Sequence, residues 1–126
     1  MITTHIKTIS IQTDIGNYDV HFNPSVPAGW EAIQSAIAKH YKDGDMARAV
    51  AQKDKDAGAV YWIQKQAENA EAFIDAIRKS IGDEEFGKVK EILRLIDISD
   101  LLQICMSIMA SYTEYYQKML KEGLEP

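Results

Sequence analysis

The chain has 126 residues, of which 46% are hydrophobic and 26% are charged, and its formal net charge is -5. This length suits one domain, and the ordinary composition excludes both a disordered chain and a disulfide scaffold. Because the chain is acidic and has no cluster of lysines or arginines, it offers no surface for a phosphate backbone. Nucleic acid is therefore not an expected partner.

Cysteine content and the lack of targeting segments indicate the compartment. The one cysteine, Cys105, lies among apolar residues, where a free thiol usually acts as a small buried hydrophobe. The amino terminus lacks the basic and apolar regions of a secretion signal, and no stretch approaches the roughly 18 apolar residues of a membrane span. We expect a single domain over residues 1–126 that is cytoplasmic and does not bind membranes.

The segment from about 5 to 22 is predicted to form a β-hairpin. Apolar residues alternate with polar ones on both sides of a turn sequence that contains Asp, Gly and Asn. The predicted register sets Ile11 opposite Val20 and Ile9 opposite Phe22, so that these side chains share one face. We expect the hairpin, within residues 1–23, to be an appendage packed on a helical body over 27–123.

The rest of the chain is predicted to be helical, which gives a mainly α fold with four helices at about 28–41, 45–81, 84–96 and 100–122. Gly44 is predicted to end the first helix, and Asp45 to cap the second. The second region has no proline and one glycine, Gly58, so one long helix is favoured over two helices broken near that residue. Asp83 and Ser99 are the predicted N-caps of the last two helices.

An unbroken apolar stripe runs along the second half of the long helix and is predicted to face the core. Its residues recur in steps of three and four: Val60, Ile63, Ala67, Ala70, Ile74, Ile77 and Ile81. Trp62 and Phe73 lie about 100° around the helix from this stripe, which indicates a second covered surface. That cover is either the protein's own core or a partner.

The last helix is apolar over roughly 200° of its circumference, about twice what a surface helix needs. Its inward face is predicted to consist of Leu101, Ile104, Cys105, Ile108, Tyr112, Tyr115 and Met119. The apolar surface then continues through Leu102, Met106, Met109, Tyr116 and Leu120. This outer arc is covered either by a second subunit or a protein ligand, or by the chain itself.

No catalytic, cofactor-binding or metal-binding motif occurs in the sequence. Glu68, Glu71 and Asp75 share a helix face, but Lys79 follows Asp75 at the spacing of a solvent-exposed ion pair. The three histidines are separated in sequence, so no second imidazole lies nearby to make a metal pair. We therefore expect no enzyme activity, no catalytic residue, no cofactor and no metal site.

Three features together resemble a known family. They are a hairpin that ends in Tyr18–Pro24, the run Phe73–Ile77 that leads to Gly82 and Phe86, and an aromatic-rich last helix. In this order, within a hairpin-then-helices chain, they resemble the small tail assembly chaperones of long-tailed bacteriophages.

This resemblance implies a non-enzymatic protein of the host cytoplasm that binds the helical tape measure protein during tail assembly, with the tail tube protein as a further candidate partner. Several members of that family self-associate, which implies a homo-oligomer here, and many are also made in a longer, frameshifted form. The candidate protein-binding residues are Trp62, Phe73, Leu102, Met106, Met109, Tyr116 and Leu120. The alternative is a small helical regulator of phage or bacterial origin that acts by dimerising or by binding a host protein.

Overall fold

A computed structural model describes residues 4–123. Its elements in chain order are β1 (Lys7–Thr13), β2 (Gly16–Phe22), α1 (Trp30–Lys53), α2 (Lys55–Ile81), α3 (Asp83–Leu93) and α4 (Ile98–Lys121). The predicted fold class, an N-terminal hairpin followed by four helices in a mainly α chain, is confirmed. Two details differ from the prediction. One is the register of the strands, and the other is the position at which the first helix ends and the second begins.

The two strands pair antiparallel in a register two residues away from the predicted one. Ile9 lies opposite Val20, and a tight turn at 14–15 joins the strands because Gly16 already pairs with Thr13. The Thr13 hydroxyl donates a hydrogen bond to the Gly16 carbonyl at 2.7 Å. Because the shift is an even number of residues, the apolar side chains remain on the face that packs against the helices.

The first two helices meet at Asp54, so the predicted boundary at 42–45 is wrong. Asp54 has extended backbone angles and accepts hydrogen bonds from the backbone N–H groups of Asp56 (3.0 Å) and Ala57 (3.1 Å). These bonds satisfy two of the free amides at the start of α2, which is the usual role of an N-cap aspartate. The single long helix is thus replaced by two helices with a sharp reversal between them.

Helix α1 continues through the predicted boundary because its polar and glycine residues there contact α2. The Asp43 carboxylate accepts hydrogen bonds from Lys39 Nζ at 2.5 Å and Asn69 Nδ2 at 3.2 Å. The Trp62 ring packs beside Gly44, where a β-carbon would lie at an ordinary contact distance of 3.5 Å from the ring. Residues typical of a turn here serve to pack one helix on another.

Helices α1 and α2 form an antiparallel pair. Gly29, just before α1, lies against Ser80 near the end of α2, whereas Gly58 near the start of α2 lies against Ala51 near the end of α1. At both glycines the two backbones are so close that a β-carbon would clash with the other helix. Close approach at both ends keeps the pair together along its whole length.

Helix α4 runs parallel to α2 and antiparallel to α1. The Cys105 thiol is 3.7 Å from the Phe73 carbonyl in the middle of α2, and the Tyr112 hydroxyl accepts a hydrogen bond from the Gly29 N–H at 3.2 Å. The buried core includes residues of both strands and all four helices: Ile11, Val20, Phe22, Ile33, Ile77, Val89, Leu93, Leu101, Ile108 and Tyr112.

The hairpin is held on this core by α3 and α4. The His21 backbone N–H donates to Glu85 Oε1 at 2.6 Å, which closes the outer edge of β2. The nearby Lys88 and then this amide lower the pKa of Glu85. The Phe22 and Tyr112 rings meet edge to face with centroids 5.0 Å apart. The hairpin is therefore integrated into the core through its own apolar face.

The N-caps of the last two helices differ from the predicted ones by one or two residues. Gly82, with a φ of 87°, precedes α3, and Asp97 caps α4 by accepting a hydrogen bond from the Asp100 N–H at 3.0 Å. Asp83 and Ser99, the predicted caps, each lie inside the helix. Helix α4 begins earlier than predicted because Asp97, two residues before Ser99, is its N-cap.

Candidate protein-binding site

Five of the predicted binding residues form one stripe along α4. They are Leu102, Met106, Met109, Tyr116 and Leu120, which recur in steps of three, four and seven. Met106 is 42% exposed and Leu120 is 65% exposed. Leu102 and Met109 are partly buried and pack against the core. The outer side of α4 is therefore an apolar surface that the chain covers only in part.

Apolar residues of α1 adjoin this stripe. Trp30, Ile37 and Tyr41 recur at helical spacing on α1, and the Trp30 ring meets Tyr112 of α4 edge to face, with centroids 5.9 Å apart. Since the helices are antiparallel, Trp30 lies beside the C-terminal half of α4 and Tyr41 lies toward its N-terminal end. We call the surface made by these three residues and the five of the α4 stripe the α1–α4 face.

A cavity of about 250 Å³ opens on the α1–α4 face. It is lined by Pro27, Trp30, Tyr112, Thr113 and Tyr116. The Tyr116 hydroxyl donates to the Ser25 carbonyl at 2.8 Å, and burial raises the pKa of Tyr116. Because the tyrosine hydroxyls are already hydrogen-bonded, the rings present mainly carbon to the cavity, which suits an apolar side chain.

Trp62 and Phe73 do not belong to this face. Phe73 is completely buried, so the expectation that it contacts a partner is wrong. The partly buried Trp62 ring packs beside Gly44 and lies 5.4 Å from the His40 ring, centroid to centroid. The reason is geometric: the direction about 100° from the apolar stripe of α2 points toward α1, so both aromatic residues fill the α1–α2 interface.

The apolar stripe of α2, which was predicted to be core along its full length, is buried only in its C-terminal part. Ile74, Ile77 and Ile81 are buried, whereas Val60, Ile63 and Ala67 are exposed, Ile63 by 69%. We call these three exposed residues the α2 overhang. The periodicity of the sequence identified the apolar stripe correctly. It could not predict how far along α2 the other elements of the fold cover that stripe.

The α3–α4 turn, at which the elements that cover the stripe end, lies beside Glu71. Arg94, in the turn between α3 and α4, has its Nη1 atom 3.3 Å from Glu71 Oε1. The next residue, Leu95, is 72% exposed. The α3–α4 turn is therefore joined to α2 at Glu71 and carries an exposed leucine.

Hydrogen bonds and burial shift the pKa values of several titratable groups. The hydrogen bond from Lys39 lowers the pKa of Asp43, and burial lowers the pKa of His40. Burial raises the pKa of Cys105 to about 12, so its thiol stays protonated and a poor nucleophile at neutral pH. Within residues 4–123, no three His, Cys, Asp or Glu side chains are grouped so that they could hold a metal ion.

In the part of the chain that the structure describes, no helix has both the length and the apolar character needed to cross a membrane. No protein-family model, curated protein or solved structure matches the chain. The described residues carry two exposed apolar surfaces, the α1–α4 face and the α2 overhang.

Proposed function

We propose that this chain is a non-enzymatic tail assembly chaperone that works in the host cytoplasm and binds apolar helices of the tape measure protein. The family resemblance supplies the identity of the partner. The α1–α4 face is the structural observation that supports the proposal, because it offers a long apolar surface between two antiparallel helices. An amphipathic helix is the ligand that such a surface fits best.

The α1–α4 face has the parts that helix recognition uses. Its cavity between Trp30 and Tyr116 accepts one large apolar side chain, and aromatic residues of this kind often carry much of the binding energy. Met106 and Met109 line the same surface, and their flexible thioethers adapt to more than one ligand sequence. A tape measure protein presents many different helical segments, so an adaptable surface suits this role.

The charge of the chain fits the same role. A formal net charge of -5 favours repulsion between loaded carriers. A carrier of apolar helices needs this property, because a complex whose ligand remains partly exposed otherwise aggregates. The acidic charge therefore supports a holding function.

The test replaces exposed apolar residues of the α1–α4 face by serine. In a Met106→Ser, Leu120→Ser double variant we expect affinity for tape measure segments to fall by about tenfold or more, since two apolar contacts are lost. Binding is measured by fluorescence anisotropy with labelled segments, and folding by circular dichroism. Ile15→Ser is the matched control because Ile15 is 63% exposed at the hairpin turn, away from this face.

Light scattering over a concentration series separates this function from that of a dimerising regulator. A chaperone with a free α1–α4 face binds tape measure segments with Met106 and Leu120 in contact with them. If the double variant is instead monomeric while the wild type is a dimer, and neither binds a tape measure segment, the face serves self-association and the proposal is wrong.

A further inference from the structure

The hairpin leaves the outer edge of β1 without backbone partners. In an antiparallel pair, every second residue points its N–H and C=O groups away from the other strand. On β2 one of these residues is His21, whose N–H donates to Glu85. His21 lies opposite Thr8, so the outward groups of β1 are those of Thr8, Ser10 and Gln12. Within residues 4–123, no backbone group outside the hairpin donates to them or accepts from them.

A groove lies along this free edge, between β1 and α4. It is a cavity of about 250 Å³, and five consecutive β1 residues, Ile9–Thr13, line one side of it. Ile104 of α4 and Ile96, just before that helix, are among the residues on the other side. The groove leaves space beside β1 and offers two isoleucines to the apolar side chains of a segment that pairs with the strand.

The free backbone groups determine what kind of segment fits the groove. They recur at every second residue, a spacing that the backbone of another extended strand matches. A helix cannot bond to them along its length, because its own N–H and C=O groups are used internally. A free edge of this kind is a template for a strand of another chain.

The sequence of β1 is complementary to itself in the antiparallel direction. A two-fold axis at Ser10 sets Thr8 of one copy opposite Gln12 of the other, so the outward backbone groups of the two copies face each other. The same register pairs the strand over its full length and sets Ile9 opposite Ile11. Both isoleucines pack on the core side of the hairpin, so the pairing forms one apolar row from two copies. A shift by one residue would bring inward groups, already bonded to β2, to the shared edge.

The charges along β1 suit the same arrangement. Lys7 Nζ is 3.2 Å from Glu114 Oε2 near the end of α4, whereas Thr13 shares the groove with Asp100 in the first turn of α4. In the two-fold pairing, Lys7 of the second copy lies opposite Thr13, at the end of the groove where Asp100 is exposed. No like charges lie opposite each other within β1, and the symmetry provides the favourable lysine–aspartate approach twice.

We propose that the β1 strands of two copies of this chain pair antiparallel about a two-fold axis at Ser10. The two hairpins then form one four-stranded sheet, and the occupant of the groove is β1 of the second copy. This interface shares no residue with the α1–α4 face, so the inference does not depend on the proposed function. The dimer carries two α1–α4 faces, and both remain free for ligands.

Proline at two opposite positions of the hairpin provides the first test. Ser10→Pro removes an N–H on the free edge of β1, and Asp19→Pro, the matched control, removes one on the outer edge of β2. Both variants lose the 2.7 Å hydrogen bond between the Ser10 and Asp19 side chains. In light scattering over a concentration series, we expect dimers for the wild type and Asp19→Pro. For Ser10→Pro we expect a dissociation constant at least about tenfold higher.

Disulfide formation tests the register directly, and it decides the question even if a proline variant does not fold. In a Cys105→Ala background, Ser10→Cys places two thiols opposite each other across the axis, with Cα atoms about 5.5 Å apart, which a disulfide can bridge. Asp19→Cys is the control, because β2 lies one strand away from the axis. We expect copper-phenanthroline oxidation to link the Ser10→Cys chains into dimers on a non-reducing gel and to leave Asp19→Cys mostly unlinked.

The inference is overturned if the wild type stays monomeric at high concentration, if folded Ser10→Pro dimerises as tightly as the wild type, or if both cysteine variants link equally. It is also overturned if the Met106→Ser, Leu120→Ser variant is monomeric while Ser10→Pro is a dimer, since the copies then meet through the α1–α4 face. A monomeric wild type whose binding of tape measure segments is lost in Ser10→Pro would assign the groove to a strand of the partner instead. A dimer that is lost in Ser10→Pro, with no binding of tape measure segments by the wild type, supports the inference and contradicts only the proposed function.

Discussion

Cys105 illustrates how its surroundings decide what a single residue does. Its thiol is fully buried at the centre of α4, and burial raises its pKa from an ordinary 9.0 to about 12. A thiolate is the reactive form, so the folded protein protects this sulfur from alkylation and oxidation. The sequence predicted this role correctly from the apolar residues around the cysteine.

The raised pKa of Cys105 predicts a specific pH dependence of stability. Between about pH 9 and about pH 12 the folded state binds more protons at this group than the unfolded state, so its contribution falls as pH rises, by at most about 1.4 kcal/mol per pH unit. Below about pH 9 the contribution is constant. Urea unfolding of the wild type and Cys105→Ala from about pH 8 to about pH 10.5 measures this loss of stability with rising pH.

Tyrosines and lysines titrate in both proteins, so their contributions to the pH dependence cancel when the two proteins are compared. We expect the stability of the wild type to fall more steeply with pH than that of Cys105→Ala. Equal slopes for the two proteins would contradict the assigned pKa.

Other single residues were harder to interpret from sequence. Asp43 and Gly44 look like the end of a helix, because both residue types are common in turns. Their actual role depends on Lys39, Asn69 and Trp62, two of which are on the neighbouring helix. Local helix and turn propensities contain no information about partners that are distant in sequence. At Asp43 and Gly44 the tertiary contacts override the local preference for a turn.

At the scale of elements, the two helical glycines Gly58 and Gly87 differ in what surrounds them. A β-carbon at Gly58 would lie 2.6 Å from the Cα atom of Ala51, so this glycine sets the close approach of α1 and α2. Gly87 lies in α3, and among the described residues nothing is within 4 Å of such a β-carbon. One glycine is required by packing, and the other only weakens its helix.

This difference predicts opposite effects for the same substitution. Gly87→Ala is expected to raise the free energy of unfolding by about 0.5–1 kcal/mol, because alanine is the better helix former. Gly58→Ala is expected to lower it by about 1–3 kcal/mol, because the helices must separate to admit the methyl group. Urea unfolding of the two variants provides the measurement, and a stabilising Gly58→Ala would show that the helices are not in such close contact.

Element types were predictable, whereas their ends and pairings were less so. Alternation gave the hairpin and its inner face, but the register was wrong by two residues because Gly16 begins β2 instead of completing the turn. Helical spacing gave α3 and α4 within a few residues. The break at Asp54 lies close to the alternative break near Gly58, which was not favoured because one glycine costs a helix only about 1 kcal/mol.

At the scale of the whole molecule, the α1–α2 pair extends beyond the rest of the protein. The core takes in Ile33 and Ala36 of α1 and Phe73 and Ile77 of α2, but no residue from 41 to 66. That segment is supported by contacts between the two helices and by polar pairs such as the one between Asp43 and Asn69. Local stability should therefore fall along the pair toward Asp54.

Hydrogen exchange measures this gradient. We expect amides in 44–53 and 58–66 to exchange faster than those in 33–40 and 73–81, because fewer buried contacts must be broken to open them. Uniform protection along both helices would contradict this view of the fold.

The surfaces available for binding were only partly predictable for the same reason. The surplus of apolar residues on α4 was visible in the sequence, and the structure places its five candidates together. The exposure of Ile63 and Leu95 was not predictable, because it depends on where α3 and α4 stop along α2. A periodic pattern states which side of a helix is apolar, but only the three-dimensional arrangement decides how much of that side is covered.

The central position of α4 also affects how the protein is made. Tyr112 contacts Phe22, Trp30 and the backbone of Gly29, yet it leaves the ribosome after all of them. Until that moment the apolar side of the hairpin and the isoleucines of α2 are without their cover in the nascent chain. The last helix to be synthesised thus completes the core. Before that, the nascent chain exposes apolar helical surface, which is the same condition that we propose the protein prevents in its partner.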